Sequence, residues 1–180
     1  MAELAGRPLI AHPLAAVAAA GLQPLVVAKP DSELPSLPGY EVIHETQEPR
    51  HPLCGIVTAL RHTGRPVVVV SCDMPFLEPA FLAWLGARPE PLVAPSVDRV
   101  PQPFPARYDP VLLPELERAL AEERSLRATI GSLGQRAVEI EELASFGDPG
   151  RILFNVNTSE DMGRASCSAL RPPEASSGRP

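Results

Sequence analysis

One carboxylate in the 180-residue chain is placed for chemistry. It is Asp73, in the run Pro66-Val67-Val68-Val69-Val70-Ser71-Cys72-Asp73-Met74-Pro75-Phe76-Leu77. Consecutive β-branched residues without alternation predict a strand covered on both faces, as in a parallel sheet sandwiched by helices. Pro75 then stops the strand. Ligands of open α/β sheets sit beyond the carboxyl ends of the strands, so this acid could hold a metal ion or a sugar hydroxyl. It could equally cap the turn that follows, and spacing favours neither reading. The polar, irregular stretch Glu45-Thr46-Gln47-Glu48-Pro49-Arg50-His51 is a candidate binding loop, although nothing places His44 or His51 as a metal ligand. Cys54, Cys72 and Cys167 lack C-x-x-C spacing and read as reduced thiols of a cytoplasmic protein.

The elements that must position these residues follow from periodicity. Ile10, Leu14, Val17 and Ala18 recur at helical spacing and Gly21 closes the helix; His12 lies off that stripe and is expected to be solvated. Leu25–Ala28 and Tyr40–Ile43 read as strands, and Ile56, Val57 and Leu60 as one face of a helix opening at His51-Pro52. After the valine run come a helix carrying Phe81, Leu82 and Leu85, a strand at Leu92–Ala94 and a loop from Val97 to Pro105. A short strand, Ala106–Tyr108, precedes Asp109, a plausible N-cap ahead of Pro110. Helical stripes through Leu112–Leu120 and Leu126–Leu133 follow, with Ser125-Leu126-Arg127 read as a helix start. Strands are expected at Ala137–Ile140 and Ile152–Asn157. Thr158-Ser159-Glu160-Asp161 matches a capping box. Strands alternating with helices predict a three-layer α/β domain.

Composition agrees with one globular domain: 44% hydrophobic and 21% charged residues, with 23 prolines lying mostly between periodic segments. No apolar run approaches the ~20 residues of a membrane span, and no signal peptide is visible. The net charge of −6, without a basic stripe, argues against a nucleic-acid partner. Small anionic ligands remain compatible with it. The domain is expected to span residues 1–165, with 166–180 a disordered tail.

Ser71-Cys72-Asp73-Met74-Pro75-Phe76-Leu77 resembles the Cys-Asp-Met-Pro-Phe signature of the molybdenum cofactor guanylyltransferases, MobA-like proteins of the nucleotidyltransferase superfamily. Four further stretches resemble that family in its order. Gly6-Arg7-Pro8-Leu9-Ile10 is similar to the lead-in of its first helix. Pro52-Leu53-Cys54-Gly55-Ile56 is similar to its Gly-Pro-Leu-Ala-Gly turn, with His51 where glycine is usual. Arg99-Val100-Pro101-Gln102-Pro103 is similar to Arg-Pro-Gln-Pro with Val100 inserted or displaced. Asn155-Val156-Asn157-Thr158-Ser159-Glu160-Asp161 is similar to its Asn-x-Asn-Thr-Pro-Glu-Asp ending.

The resemblance implies a three-layer αβα, Rossmann-like nucleotidyltransferase fold with a mostly parallel central sheet. It implies transfer of GMP from GTP to molybdopterin-bound molybdenum, with release of pyrophosphate. Asp73 would hold Mg²⁺ together with phosphate oxygens, because a hard cation with a carboxylate ligand neutralises a triphosphate. Lys29, Glu45, Gly55 and Asp73 would bind the nucleotide. Arg99, Gln102, Asn155 and Asn157 would bind the acceptor. Partners would be GTP, the molybdopterin cofactor and other proteins of its biosynthesis. Residue by residue, Asn157 and Thr158 can also be read as helix-cap residues, and Arg99 and Gln102 as ordinary loop residues.

The departures set further expectations. The family opens with a strand and a Gly-rich loop whose backbone N–H groups cradle the triphosphate, and neither precedes Gly6 here. Lys29 stands where asparagine is usual, and Glu45 where the family has aspartate. The family's opening strand lies between the strands at Leu25 and Val67, which are therefore expected not to pair with one another. The chain reads as N-terminally truncated or as a degenerate homologue. Cytidylyl transfer, another acceptor, and a non-catalytic binding protein are the alternative functions.

Overall fold

The computed structural model describes residues 2–46 and 48–169. The chain opens with a hairpin, β1 (Glu3–Leu4) and β2 (Arg7–Pro8), turned by Ala5 and Gly6 at positive φ. Helix α1 (Ala11–Ala19) follows. His12 is not merely solvated: its Nε2 lies 3.0 Å from the Leu4 carbonyl oxygen and ties the helix to the hairpin. Strands β3 (Leu25–Ala28) and β4 (Glu41–His44) pair in parallel, Leu25 opposite Glu41 and Ala28 opposite His44.

Helix α2 (Pro52–Thr63) is capped by His51, whose Nδ1 accepts from Leu53 N at 3.1 Å, and it ends at Gly64 in the left-handed region. Then come β5 (Val67–Val69), α3 (Pro79–Gly86), β6 (Leu92–Val97), β7 (Val100–Pro101) and β8 (Ala106–Tyr108). The span expected as a loop from Val97 is thus a hairpin, with Asp98 and Arg99 at φ +52° and +64° making its tight turn.

A short 3₁₀ turn capped by Asp109 leads into α4 (Leu113–Ala121), then α5 (Leu126–Ser132) capped by Ser125. Strand β9 (Arg136–Val138) ends before Ile140, which begins α6 (Ile140–Leu143) rather than extending the strand. The strand expected over Ile152–Asn157 is absent. Asp148 accepts from Gly150 N and opens α7 (Pro149–Ile152), and the chain from Leu153 to Asn157 is irregular. The last helix, α8 (Ser159–Ala169), runs past the domain boundary expected at residue 165, so residues 166–169 of the tail expected over 166–180 are helical and the rest of it lies outside the described residues.

The larger sheet runs β5-β8-β6, with β7 and β9 also on β6. Both β5 and β6 are antiparallel to β8, and β9 is parallel to β6, so β5, β6 and β9 run one way and β8 opposes them. Period-two alternation makes the three layers. Leu92 and Ala94, with Val67 and Val69, face a core built by α2, α4 and α5. Val93, with Val68 and Val70, faces a second core built by α1 and α3 together with Leu143 and Ile152.

The two sheets are not continuous. Among the described residues β3 pairs only with β4 and β5 only with β8, and a cleft of about 710 Å³ separates β3 from β5. This explains one departure from expectation: Val67, Val68 and Val69 are half-buried rather than buried, because they line that cleft. None of the helices among the described residues is long and apolar enough to cross a membrane.

Candidate active site

The candidate residues lie on the turns after β3, β4 and β5, the β6–β7 hairpin, the first turns of α2 and the irregular segment before α8. After β5 the chain bends at Ser71, whose carbonyl accepts from Met74 N at 3.3 Å. Met74 is fully buried and Leu77 nearly so, and together they pin the turn to the second core. Asp73, between the exposed Cys72 and Met74, is half-buried, and its Oδ1 is buried without a hydrogen-bond partner. Asp73 therefore does not cap the turn with that oxygen. An unpaired buried carboxylate oxygen is costly, and a cation or donor brought by a ligand would satisfy it. Partial burial, and after it the adjacent Asp73 charge, push the Cys72 thiol up.

The Asp73 backbone reaches the far end of the chain: its carbonyl accepts from Val156 N at 2.9 Å. The irregular segment holding Asn155 and Asn157 therefore lies against the Asp73 turn, with both asparagines exposed. The segment is held from its other end by the capping box. Asp161 Oδ2 accepts from Asn157 N and Thr158 N at 3.2 and 3.0 Å, while Thr158 Oγ1 accepts from Asp161 N at 3.1 Å. Hydrogen bonding, led by the Thr158 hydroxyl, holds the Asp161 carboxyl below the ordinary aspartate range. The cap reading of Thr158 is thus correct, while Asn157 contributes only its backbone to the cap.

Lys29, Glu45 and Gly55 form a second group at the ends of β3 and β4. Lys29 Nζ lies 2.9 Å from Glu45 Oε1 and donates to the carbonyls of Thr46 and Pro49 at 2.7 and 3.2 Å. The ion pair is mostly buried, with side chains 15% and 12% exposed. Gly55 is the residue that lets the carboxylate in: a Cβ there would stand 3.1 Å from Glu45 Oε2. The lysine therefore holds Glu45, Thr46 and Pro49 in place, with its three hydrogen-bonding directions already occupied.

Arg99 and Gln102 make no hydrogen bond or ion pair with either group among the described residues. Arg99 is exposed at the β6–β7 turn, and Gln102 closes its own hairpin, donating from Nε2 to Val100 O at 3.0 Å. Sequence reasoning missed the stack beside the Asp73 turn. Phe76 and Phe154 pack with ring centroids 5.9 Å apart, Arg151 lies over Phe76 at 4.4 Å, and Arg164 lies over Phe154 at 5.4 Å. Those arginines flank the Asn155–Asn157 segment in sequence, the one signal that could have found them.

Among the described residues no group of three or more His, Cys, Asp or Glu could hold a metal ion. A protein-only cage is therefore not built. Mg²⁺ however commonly uses one or two carboxylates plus substrate phosphates, and the open Asp73 Oδ1 is a hard oxygen donor of that kind.

Helices on both faces of a split, mixed sheet, with an acid beyond the carboxyl end of β5, define a nucleotidyltransferase-like αβα fold. A profile of the MobA-like NTP transferase domain matches residues 1–138. The chain belongs to the MobA-like NTP transferase family. It is similar in structure to molybdopterin-guanine dinucleotide biosynthesis protein A from Archaeoglobus fulgidus, with TM-score 0.80 and 28% identity over 94% of this chain and 90% of that one. A protein of Aquifex aeolicus matches with TM-score 0.60 and 25% identity, covering 74% of this chain and 70% of that one. The fold is shared with 2-C-methyl-D-erythritol 4-phosphate cytidylyltransferase from Thermus thermophilus, at TM-score 0.69 and 16% identity over 93% and 91% of the two chains. A comparison with curated proteins returned no match.

Proposed function

We propose that the chain transfers a guanylyl group from GTP to the terminal phosphate of the molybdopterin cofactor, releasing pyrophosphate. The observation that carries this reading is the orphaned Oδ1 of Asp73 at the carboxyl end of β5, in a turn bonded to the Asn155–Asn157 segment. It is supported by family membership and by the likeness to a protein named for molybdopterin-guanine dinucleotide biosynthesis.

In the reaction a phosphate oxygen of the pterin attacks the α-phosphorus of GTP. The new P–O bond forms as the bond from that phosphorus to the bridging oxygen breaks, and pyrophosphate leaves with the electron pair. No protein nucleophile is needed, so the chain's work is positioning and charge screening. Mg²⁺, when bound, neutralises triphosphate charge, and Asp73 would hold it. Glu45, fixed by Lys29, would accept from the N–H groups of the guanine edge, and Gly55 would keep room for that carboxylate. Asn155 and Asn157 would orient the pterin phosphate, with Arg99 and Gln102 at its outer rim.

The test is calorimetric titration of the chain with GTP and with CTP, each with and without Mg²⁺. Mg²⁺-dependent GTP binding is expected, weakened about tenfold or more by Asp73→Ala, a loss of at least about 1.4 kcal/mol. Tighter binding of CTP would move the reading to cytidylyl transfer. GTP affinity indifferent to both Mg²⁺ and Asp73→Ala would remove Asp73 from the mechanism.

A further inference from the structure

The acceptor half of the site must meet a charge that the residues assigned to it do not answer. A phosphate monoester carries about −1.5 to −2 at pH 7. Asn155 and Asn157 are neutral, and the two acidic residues bonded to their segment, Asp73 and Asp161, repel an anion. Lys29 has no N–H left to give. A cation is therefore needed on the acceptor side.

Arg164 of α8 stands beside that segment and is tied to both of its ends. Its guanidinium lies over the Phe154 ring at 5.4 Å, and Phe154 directly precedes Asn155. Its Nη1 lies 3.8 Å from Asp161 Oδ1, while Oδ2 of the same carboxylate accepts from Asn157 N at 3.2 Å. The contact with Asp161 is too long for a hydrogen bond, and an exposed ion pair of that length contributes little. The guanidinium makes no hydrogen bond among the described residues, and its side chain is 67% exposed.

The rings beneath it fix its place. Phe154 packs on Phe76, which follows the Asp73 turn, and Phe76 carries Arg151. Arg151 in turn donates to Ser168 O at 3.3 Å and so ties the stack back to α8. A guanidinium held against a ring keeps its N–H edge free, and that edge matches two oxygens of a phosphate.

We propose that Arg164 receives the terminal phosphate of the acceptor, donating two N–H bonds to oxygens other than the attacking one, with Phe154 as the positioning residue beneath it. The inference rests on the transfer reading for the identity of the acceptor, and on the stack for the residue. A guanidinium stays protonated throughout, so Arg164 exchanges no proton. It screens the phosphate from the triphosphate as the two anions approach.

Anaerobic calorimetric titration of the full chain with molybdopterin, and with molybdopterin dephosphorylated by phosphatase, tests it. Arg164→Gln is expected to weaken molybdopterin binding about tenfold or more. It should leave the affinities for the dephosphorylated form and for GTP with Mg²⁺ unchanged. Phe154→Leu is expected to weaken molybdopterin binding about threefold, and to add nothing once Arg164→Gln is present. Unchanged molybdopterin affinity in Arg164→Gln, an equal loss with both forms, or a matching loss of GTP affinity would overturn the proposal. Phosphate-dependent binding through Arg164 in a chain that binds no GTP would keep this site and remove the transfer reading. GTP binding without molybdopterin binding would overturn this site and leave the nucleotide site standing.

Discussion

Replacing Gly55 by alanine sets two effects of similar size against each other. Gly55 lies inside α2, where alanine is the better helix former by about 0.8–1.0 kcal/mol. The new Cβ would stand 3.1 Å from Glu45 Oε2, so the carboxylate must retreat by a few tenths of an ångström. Glu45 is not free to do so, because its other oxygen is 2.9 Å from Lys29 Nζ and the lysine is anchored by two carbonyls. Hydrogen bonds to charged groups contribute about 1.5–3 kcal/mol, and loosening this one is expected to cost on the order of 1 kcal/mol. The two effects nearly cancel, so Gly55→Ala should lie within about 0.5 kcal/mol of the natural protein. With Glu45→Ala already present the obstacle is gone, and the same substitution should stabilise by about 1 kcal/mol. The cycle therefore predicts a coupling of about 1 kcal/mol, typical of residues in contact. Urea unfolding of the four proteins, followed by circular dichroism, measures it. An equal gain in both backgrounds would refute the steric account of Gly55.

Three other outcomes follow from the geometry. The Tyr108 hydroxyl donates to Pro103 O at 2.9 Å in the core, so Tyr108→Phe should lower the unfolding free energy by about 1 kcal/mol in the same assay. Burial also pushes the Tyr108 phenol far up, and ultraviolet titration should show no phenolate from it until the chain unfolds. Asp161 has its folded pKa depressed, chiefly by the Thr158 hydroxyl. Its support for α8 is therefore complete above the unfolded aspartate value near ~3.9 and is lost as pH falls below it. Protection of the amides of residues 159–163, taken relative to their intrinsic exchange rates, should fall across that window, and Thr158→Ala should flatten the dependence while costing about 1 kcal/mol through the lost cap.

Much of the fold was legible because its periodicities were long or its caps explicit. The valine run predicted a strand with both faces covered, and alternate valines do pack into opposite cores. The pairs Asp109-Pro110 and Thr158-Asp161 act as caps. Failures came where the signal was short. Ile152-Leu153-Phe154 is an apolar run that periodicity cannot assign, and Asp148 with Pro149 opened a helix there instead. The β6–β7 hairpin turns on Asp98 and Arg99 rather than on the Asn-Gly that would have announced it. Motif matching grouped Lys29, Glu45, Gly55 and Asp73; the structure brings the first three into contact and carries Asp73 on a separate turn after β5. Their mutual arrangement, a lysine saturated by a carboxylate and two carbonyls, depends on where Glu45, Thr46 and Pro49 come to lie and cannot be read from spacing. The stack of Arg151 and Arg164 on Phe76 and Phe154 is likewise a tertiary fact, since the two rings are far apart in sequence.

The hydrogen bond from Val156 N to the Asp73 carbonyl has a consequence for how the molecule is made. Closing a loop of roughly 80 residues costs about 4 kcal/mol by chain statistics, while one hydrogen bond contributes only about 1 kcal/mol. The closure must therefore be driven by the apolar contacts around it, Ile152 in the second core and Phe154 on Phe76. Until those residues leave the ribosome, the turn bearing Asp73 is pinned through Met74 and Leu77 without the segment that its carbonyl binds. A chain stalled before residue 152 has its valine strand and first two helices in sequence and still lacks the Asn155–Asn157 segment that lies against the Asp73 turn. Assembly of the site would then be among the last events of synthesis, timed by the C-terminal segment rather than by the domain core.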